Sequence, residues 1–384
     1  MTSARRMQSI QPFHVMALLA RARALEAQGR SIIHMEIGEP DFVTPQPVID
    51  AGIRALQQGY THYTPATGLP ALRRRIAAFY RQRYAVEIES ERIVITPGAS
   101  AALQLVMAVL VNAGDKVLMA DPGYPCNRNF VYLLEGDPVG IPVSAASGYQ
   151  PAPQQLHEYW DEKVSALLVA SPSNPTGTLL SEHTLREYFT VASARGGTLV
   201  VDEIYHGLVY GEPACTALSI SDDIFVINSF SKYFGMTGWR LGWLVAPKDY
   251  VADIDKLAQN LFLAAPTMAQ HAALTAFDAD TIDILEARRR EFQQRRDYLL
   301  PALRETGFDI PVIPDGAFYL YANCNRFTDD SFSFTQQLLE ETGVAITPGA
   351  DFGAHQPERH VRFAYTTSLE NLQEGVRRLR AYLG

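Results

Sequence analysis

The stretch Ser229-Phe230-Ser231-Lys232-Tyr233-Phe234-Gly235-Met236-Thr237-Gly238-Trp239-Arg240 decides how the rest of this chain is read. It follows the apolar run Ile224-Phe225-Val226-Ile227, which reads as a buried strand, so its polar residues stand where a strand ends. Arginine carries most of the positive charge: among 33 basic residues the lysines are only Lys116, Lys163, Lys232, Lys248 and Lys256. A lysine can do what arginine cannot, which is to lose its proton and attack a carbonyl carbon, forming a Schiff base. Lys232 has the hydroxyls of Ser229 and Ser231 before it and the guanidinium of Arg240 after it, a fair clamp for a phosphate. The set suits an aldehyde that carries a phosphate.

Outward from this stretch, short β-branched runs alternate with helical patterns between about residues 92 and 247. Strands are expected at 93–96, 117–120, 139–143, 166–170, 198–201, 224–228 and 241–246. Strands alternating with helices predict an α/β fold whose large domain holds a mainly parallel seven-stranded sheet flanked by helices. Residues 250–296 read as long helix with charged faces. Beyond Pro301 the pattern turns to strands with one helix, at 318–321, 334–341 and 361–364, a smaller α/β unit. An N-terminal helix joins it, with Phe13, Met16, Ala17, Ala20 and Ala24 recurring at helical spacing. The expected division is 45–285 for the large domain and 1–44 with 286–384 for the small one.

Composition excludes several classes. A net charge of −9 disfavours nucleic-acid binding, which needs a basic face. The longest apolar run, 105–111, is far short of the roughly 20 residues of a membrane-spanning helix. The three cysteines, Cys126, Cys215 and Cys324, lie far apart, and the nine histidines form no zinc spacing, so no metal site is expected. A reduced, cytoplasmic setting fits best.

The motifs share one placement. Gly98-Ala99-Ser100, Tyr124, Asn174, Asp202 with Tyr205, and Ser229 with Lys232 each lie just past an expected strand, and ligands of open α/β sheets bind at those ends. Thr96-Pro97-Gly98-Ala99-Ser100 opens a helix, where small residues let backbone N–H groups approach an anion; it also fits a plain helix cap. In Val200-Val201-Asp202-Glu203-Ile204-Tyr205 the first acid could pair with a protonated pyridine nitrogen or cap a helix. Tyr205 could hydrogen-bond a phenolic oxygen of the same ring. Asp121-Pro122-Gly123-Tyr124 and Ser171-Pro172-Ser173-Asn174-Pro175-Thr176-Gly177 read as turns, the former also as an aromatic platform. Arg362, in an apolar strand, either faces solvent or clamps a carboxylate. The cofactor that fits this chemistry is pyridoxal 5'-phosphate.

Taken together, Ser-x-Ser-Lys with an arginine eight residues after the lysine, Asn-Pro-Thr-Gly and Asp-Glu-x-Tyr resemble the class I/II aminotransferases of fold type I. The similarity runs from Ile37-Gly38-Glu39-Pro40-Asp41-Phe42 to Arg362. It implies an aspartate-aminotransferase-like fold and transfer of an amino group from an L-amino acid to a 2-oxo acid, 2-oxoglutarate foremost, by a ping-pong mechanism. It implies that Lys232, Asp202 and Tyr205 are catalytic, that Asn174 contacts both cofactor and substrate, and that Gly38 and Arg362 hold the substrate carboxylate. Tyr63 would reach the cofactor phosphate of a second subunit in a homodimer with shared sites, and the bonds Asp121-Pro122 and Asn174-Pro175 would be cis. One departure bears on substrate: a related aspartate aminotransferase group has a lysine where this chain has Ser100, which favours neutral donors over aspartate.

Two other functions compete. A carbon–sulfur β-lyase would use Asp202, Lys232 and Arg362 alike, although such lyases more often carry histidine at the position of Tyr205. A regulator with an aminotransferase-like sensor would need an added DNA-binding domain, whereas here the matching region starts within the first 40 residues and the chain is acidic.

Overall fold

Apolar runs bounded by turn residues become strands because their side chains are buried on both faces of a sheet. The structure, a computed structural model, describes residues 3–384. In chain order the strands are β1 (Ile33–His34), β2 (Ile93–Thr96), β3 (Lys116–Asp121), β4 (Asp137–Pro142), β5 (Val164–Ala170), β6 (Thr198–Asp202), β7 (Phe225–Ser229), β8 (Gly242–Val245), β9 (Tyr319–Asn323), β10 (Val344–Ala345), β11 (Thr347–Pro348) and β12 (His360–Ala364). The helices are α1 (His14–Ala27), α2 (Gln46–Gln57), α3 (Pro70–Tyr84), α4 (Ala99–Leu110), α5 (Pro125–Leu133), α6 (Pro153–Tyr159), α7 (Glu182–Ala194), α8 (Val251–Leu261), α9 (Thr267–Ala273), α10 (Ala279–Thr306), α11 (Ser331–Thr342) and α12 (Leu369–Leu383).

Seven strands form one sheet in the order β2-β8-β7-β6-β5-β3-β4. Only β8 runs against its neighbours, pairing antiparallel with β2 and β7. Alternate residues feed two cores. Ile93, Ile95, Leu167, Val169, Val201 and Trp243 enter one, and Val94, Ala166, Leu168, Val200, Ile227 and Leu244 enter the other. A second sheet, β11-β12-β9, and the parallel pair β1–β10 build the C-terminal part, with α1 packed beside β10 and β11. The peptide bonds before Pro122, Pro172 and Pro175 are cis, and two of these are the ones expected.

Three expectations are corrected. The stretch 250–296 is not one helix: Leu263 adopts a left-handed conformation and Pro266 precedes α9, so the chain breaks before α9 and again before α10. Helix α10 then passes through Pro301 and stops at Thr306, where Gly307 takes φ 110°. In α1 the buried face is Val15, Leu18, Ala22 and Leu25, whereas Met16, Ala17, Ala20 and Ala24 are exposed and Phe13 precedes the helix half-buried. Both stripes have helical spacing, and the bulkier aliphatic one takes the core. The C-terminal part also holds a helix the sequence reading missed, α12, whose signal was Ser368 as a cap before Leu372, Val376 and Leu379.

Candidate active site

The parallel strands end along one edge of the large sheet, and the chain turns there into the quoted motifs. Strand β2 leads to Gly98, β3 to Tyr124, β5 to Asn174, β6 to Tyr205 and β7 to Lys232. Because β8 is reversed, it begins at that edge: Gly242 pairs with Thr96 on one side and Ser229 on the other. Arg240 therefore arrives beside the ends of its neighbours although it precedes a strand.

A cleft opens at this edge, lined by Gly38, Asn174, Asp202, Tyr205, Lys232 and Arg362 together with Ala99, Ser100 and Tyr124. A second cleft adjoins it, lined by Ala99, Ser100, Tyr124 and Lys232 and by Ser229, Ser231, Thr237 and Arg240. All the residues singled out from the sequence fall here except two. Gly98 lies just behind the second cleft: a Cβ there would sit 2.5 Å from Nη2 of Arg240, so the missing side chain is the space the guanidinium uses. Tyr63 is 81% exposed and lines neither cleft.

Lys232 is half-buried, and its ammonium donates to the carbonyl of Gly38 at 2.5 Å. Burial pulls its pKa down to about 8, aided by the cations Arg362 and Arg240 and opposed by Glu39 and Asp202. Asp202 shifts the other way, to about 6: burial raises it, while the N–H of Ile204 (3.0 Å) and Lys232 hold it down. A cation and an anion are thus each pushed toward neutrality in one low-dielectric pocket, the usual condition for proton transfer near neutral pH.

Arg362 does not face solvent. It is buried, with Nη1 donating to Oδ1 of Asn174 (2.9 Å) and Nη2 to the carbonyl of Glu36 (2.5 Å). Its guanidinium lies over the rings of Tyr319 (4.3 Å) and Phe352 (4.9 Å), which fixes the plane of the fork. Tyr319 was not singled out from the sequence. Its hydroxyl pairs with that of Tyr205 at 2.8 Å across 114 residues, a relation that no local pattern encodes.

The second cleft has the donors an anion needs. Ser231 donates its backbone N–H to Oγ of Ser229 (3.0 Å), so the two hydroxyls are held together. Arg240 is fixed by one bond to the carbonyl of Thr237 (3.0 Å), and α4 starts alongside at Ala99. A guanidinium, two hydroxyls and a helix N-terminus around a pocket left open by glycine fit a phosphate. The lysine beside them fits an aldehyde on the same molecule.

Fold and site define an α/β protein with one cleft at the strand ends, where a half-buried lysine stands between a set of anion donors and a buried arginine. The comparisons name its family: the chain belongs to the class I and II aminotransferases, whose family model matches residues 30–379. It is an aminotransferase of a family that uses pyridoxal phosphate, with the aspartate-aminotransferase-like fold. It is 37% identical over 382 residues to a (5-formylfuran-3-yl)methyl phosphate transaminase of Methanocaldococcus jannaschii, covering 99% of both chains. It is 37% identical over 376 residues to a valine–pyruvate aminotransferase of Mycobacterium tuberculosis, covering 97% of each. Among solved structures, an aminotransferase from M. tuberculosis superposes with a TM-score of 0.96 at 36% identity, covering 100% of this chain and 99% of the other. An aspartate aminotransferase from Thermus thermophilus with maleate gives 0.94 at 32%, covering 99% of each.

Proposed function

We propose that this protein binds pyridoxal 5'-phosphate across the two clefts and moves the amino group of a neutral L-amino acid to a 2-oxo acid, 2-oxoglutarate foremost, in two ping-pong half-reactions. The observation that carries this reading is Lys232 lining both clefts, drawn down to a pKa of about 8 between the anion cradle and Arg362. Bound there, the cofactor supplies a carbonyl carbon that amines condense with and a ring that draws electrons from the substrate's Cα.

The chain's own residues divide the remaining work. Ser100, Ser229, Ser231 and Arg240, with the backbone at Gly98 and Ala99, hold the phosphate. Asp202 accepts a hydrogen bond from the ring nitrogen and favours its protonated form. Tyr205 and Asn174 would bond the phenolic oxygen, and Tyr124 would pack on the ring. Arg362 and Asn174, with the backbone of Gly38, would hold the α-carboxylate and bring the substrate's Cα beside Lys232. With a pKa near 8, Lys232 would be placed to take the Cα proton as a general base.

The donor's side chain would extend toward Phe13, Val15, Met16, Leu103 and Phe352, a predominantly apolar wall. Lys232 and Arg362 are the cations lining that cleft among the described residues, and Glu36 and Asp351 are acids of the same lining. Such a wall favours neutral donors over aspartate. The distal carboxylate of 2-oxoglutarate would then need a partner from a second copy. A homodimer is part of this reading. Val43, Ile53, Leu56, Tyr60, Leu261 and Leu263 are exposed on α2, the loops flanking it and the end of α8, and a second copy would cover them and take Tyr63. The division into a large domain, 45–285, and a small one, 1–44 with 286–384, also belongs to it, with α10 joining the two across residue 286. A reduced cytoplasmic setting also belongs to this reading, in keeping with cysteines that lie far apart in the sequence.

The test is a screen of half-reactions across the amino acids, following the conversion of bound aldehyde to amine by absorbance. Neutral donors should react faster than aspartate. Lys232→Ala should lose the Schiff-base band and roughly a thousandfold or more of turnover. Ordinary turnover in that variant overturns the proposal, and release of pyruvate and thiol from cystathionine without an acceptor would favour the lyase instead.

A further inference from the structure

The outer wall of the substrate cleft is the start of α1, and what fixes it there lies near the opposite end of the sequence. Helix α1 begins at His14, and the residue in the capping position, Phe13, has no side-chain acceptor to offer. The first N–H groups of a helix need acceptors from elsewhere. Asp351 provides both: Oδ1 accepts from the N–H of His14 and Oδ2 from that of Val15, each at 2.9 Å, across 337 and 336 residues. Asp351 is 5% exposed and lines the same cleft as Arg362 and Lys232.

The segment that carries it is itself anchored. The carbonyl of its neighbour Phe352 accepts from the N–H of Gly123 at 2.8 Å, and the Phe352 ring packs on Arg362. The carboxylate of Asp121, at the end of β3, accepts from the N–H of Ala354 at 2.9 Å. Asp351 thus ties Phe13, Val15 and Met16 to the frame that also sets Arg362. Both of its oxygens are engaged by α1.

We propose that Asp351 is a positioning residue that holds the apolar wall at the distance the donor's side chain requires, and so governs affinity for bulky donors apart from the chemical step. This rests on the reading that the cleft receives that side chain. The experiment compares holoenzymes of wild type and Asp351→Asn, which keeps the volume but has a single acceptor oxygen. With leucine or phenylalanine as donor, KM should rise about tenfold, the scale of a lost helix cap, with kcat within about twofold. With alanine, too short to reach the wall, both constants should stay within about twofold. Hydrogen exchange should accelerate at residues 14–17.

His14→Pro gives a second variant should Asp351→Asn fail to fold. Proline is accepted at the first position of a helix; this change removes the N–H that Oδ1 accepts from, and its ring carbon pushes that oxygen aside, while the wall residues themselves are unaltered. It should move KM the same way. Equal KM changes for alanine and phenylalanine, or none while exchange at 14–17 is faster, overturn the role of Asp351. No half-reaction of wild type with any of the three amino acids would instead overturn the reading of the cleft.

Discussion

Beside the site, Glu203 is a carboxylic acid with no exposure, bonded by the hydroxyl of Thr216 and the N–H of Ala217 (2.7 Å). Burial raises its pKa from 4.5 to about 8, against those two donors. Its native state therefore keeps a proton that the unfolded chain loses, so its contribution to stability is complete below pH 4.5 and declines until about pH 8. Across that window wild type should lose up to about 1.4 kcal/mol per pH unit from this group, whereas Glu203→Gln, neutral throughout, should not. Urea titrations at pH 5, 6.5 and 8 would measure the difference, and parallel slopes would refute it. At Gly38 the constraint is steric: a Cβ would lie 2.0 Å from the hydroxyl of Tyr319. Gly38→Ala should cost about 1–3 kcal/mol and, by displacing Tyr319 from Arg362, raise KM for the donor. Urea titration and donor KM read the two effects. That Lys232, Asp202 and Asn174 stand at one cleft was legible because each lies within a few residues of the end of an apolar run. Tyr319 and Asp351 were not, because their partners are more than a hundred residues away.

Among the elements, the large sheet could be read almost strand by strand, since its central runs, such as β2, β7 and β8, are buried on both sides and bounded by turn residues, whereas the edge strand β4 is largely open to solvent. The helices were less legible where two faces competed. Helix α1 carries two apolar stripes of equal periodicity, and only the neighbouring strands decide which one is covered. The break after α8 depends on the left-handed Leu263, a conformation that leucine does not advertise. Helix α11 has a cap whose worth can be measured: Asp330 accepts from the N–H groups of Phe332 (3.1 Å) and Ser333 (3.2 Å). Asp330→Ala should cost about 1 kcal/mol, seen as a lower urea midpoint with unchanged slope.

For the whole molecule, the exposed apolar residues of α2 and the end of α8 make association the governing question. Leu56 is 56% exposed, so Leu56→Glu should leave an isolated chain nearly unaffected yet put a charge where a second copy would dock. If the proposed dimer forms through this face, wild type should sediment as a dimer and Leu56→Glu as a monomer that retains the cofactor less well; identical sedimentation of the two would rule out this face as the interface. Within one chain, the reversal of β8 has a further consequence. Ser229 and Gly242 are cross-strand partners, and the N–H of Phe230 bonds the carbonyl of Leu241 (3.1 Å), so the amine of Lys232 and the guanidinium of Arg240 belong to one closed hairpin. That hairpin is a built-in ruler. Other walls of the cleft can shift without altering the span from amine to guanidinium, whereas one residue inserted between 232 and 240 would change the gauge itself.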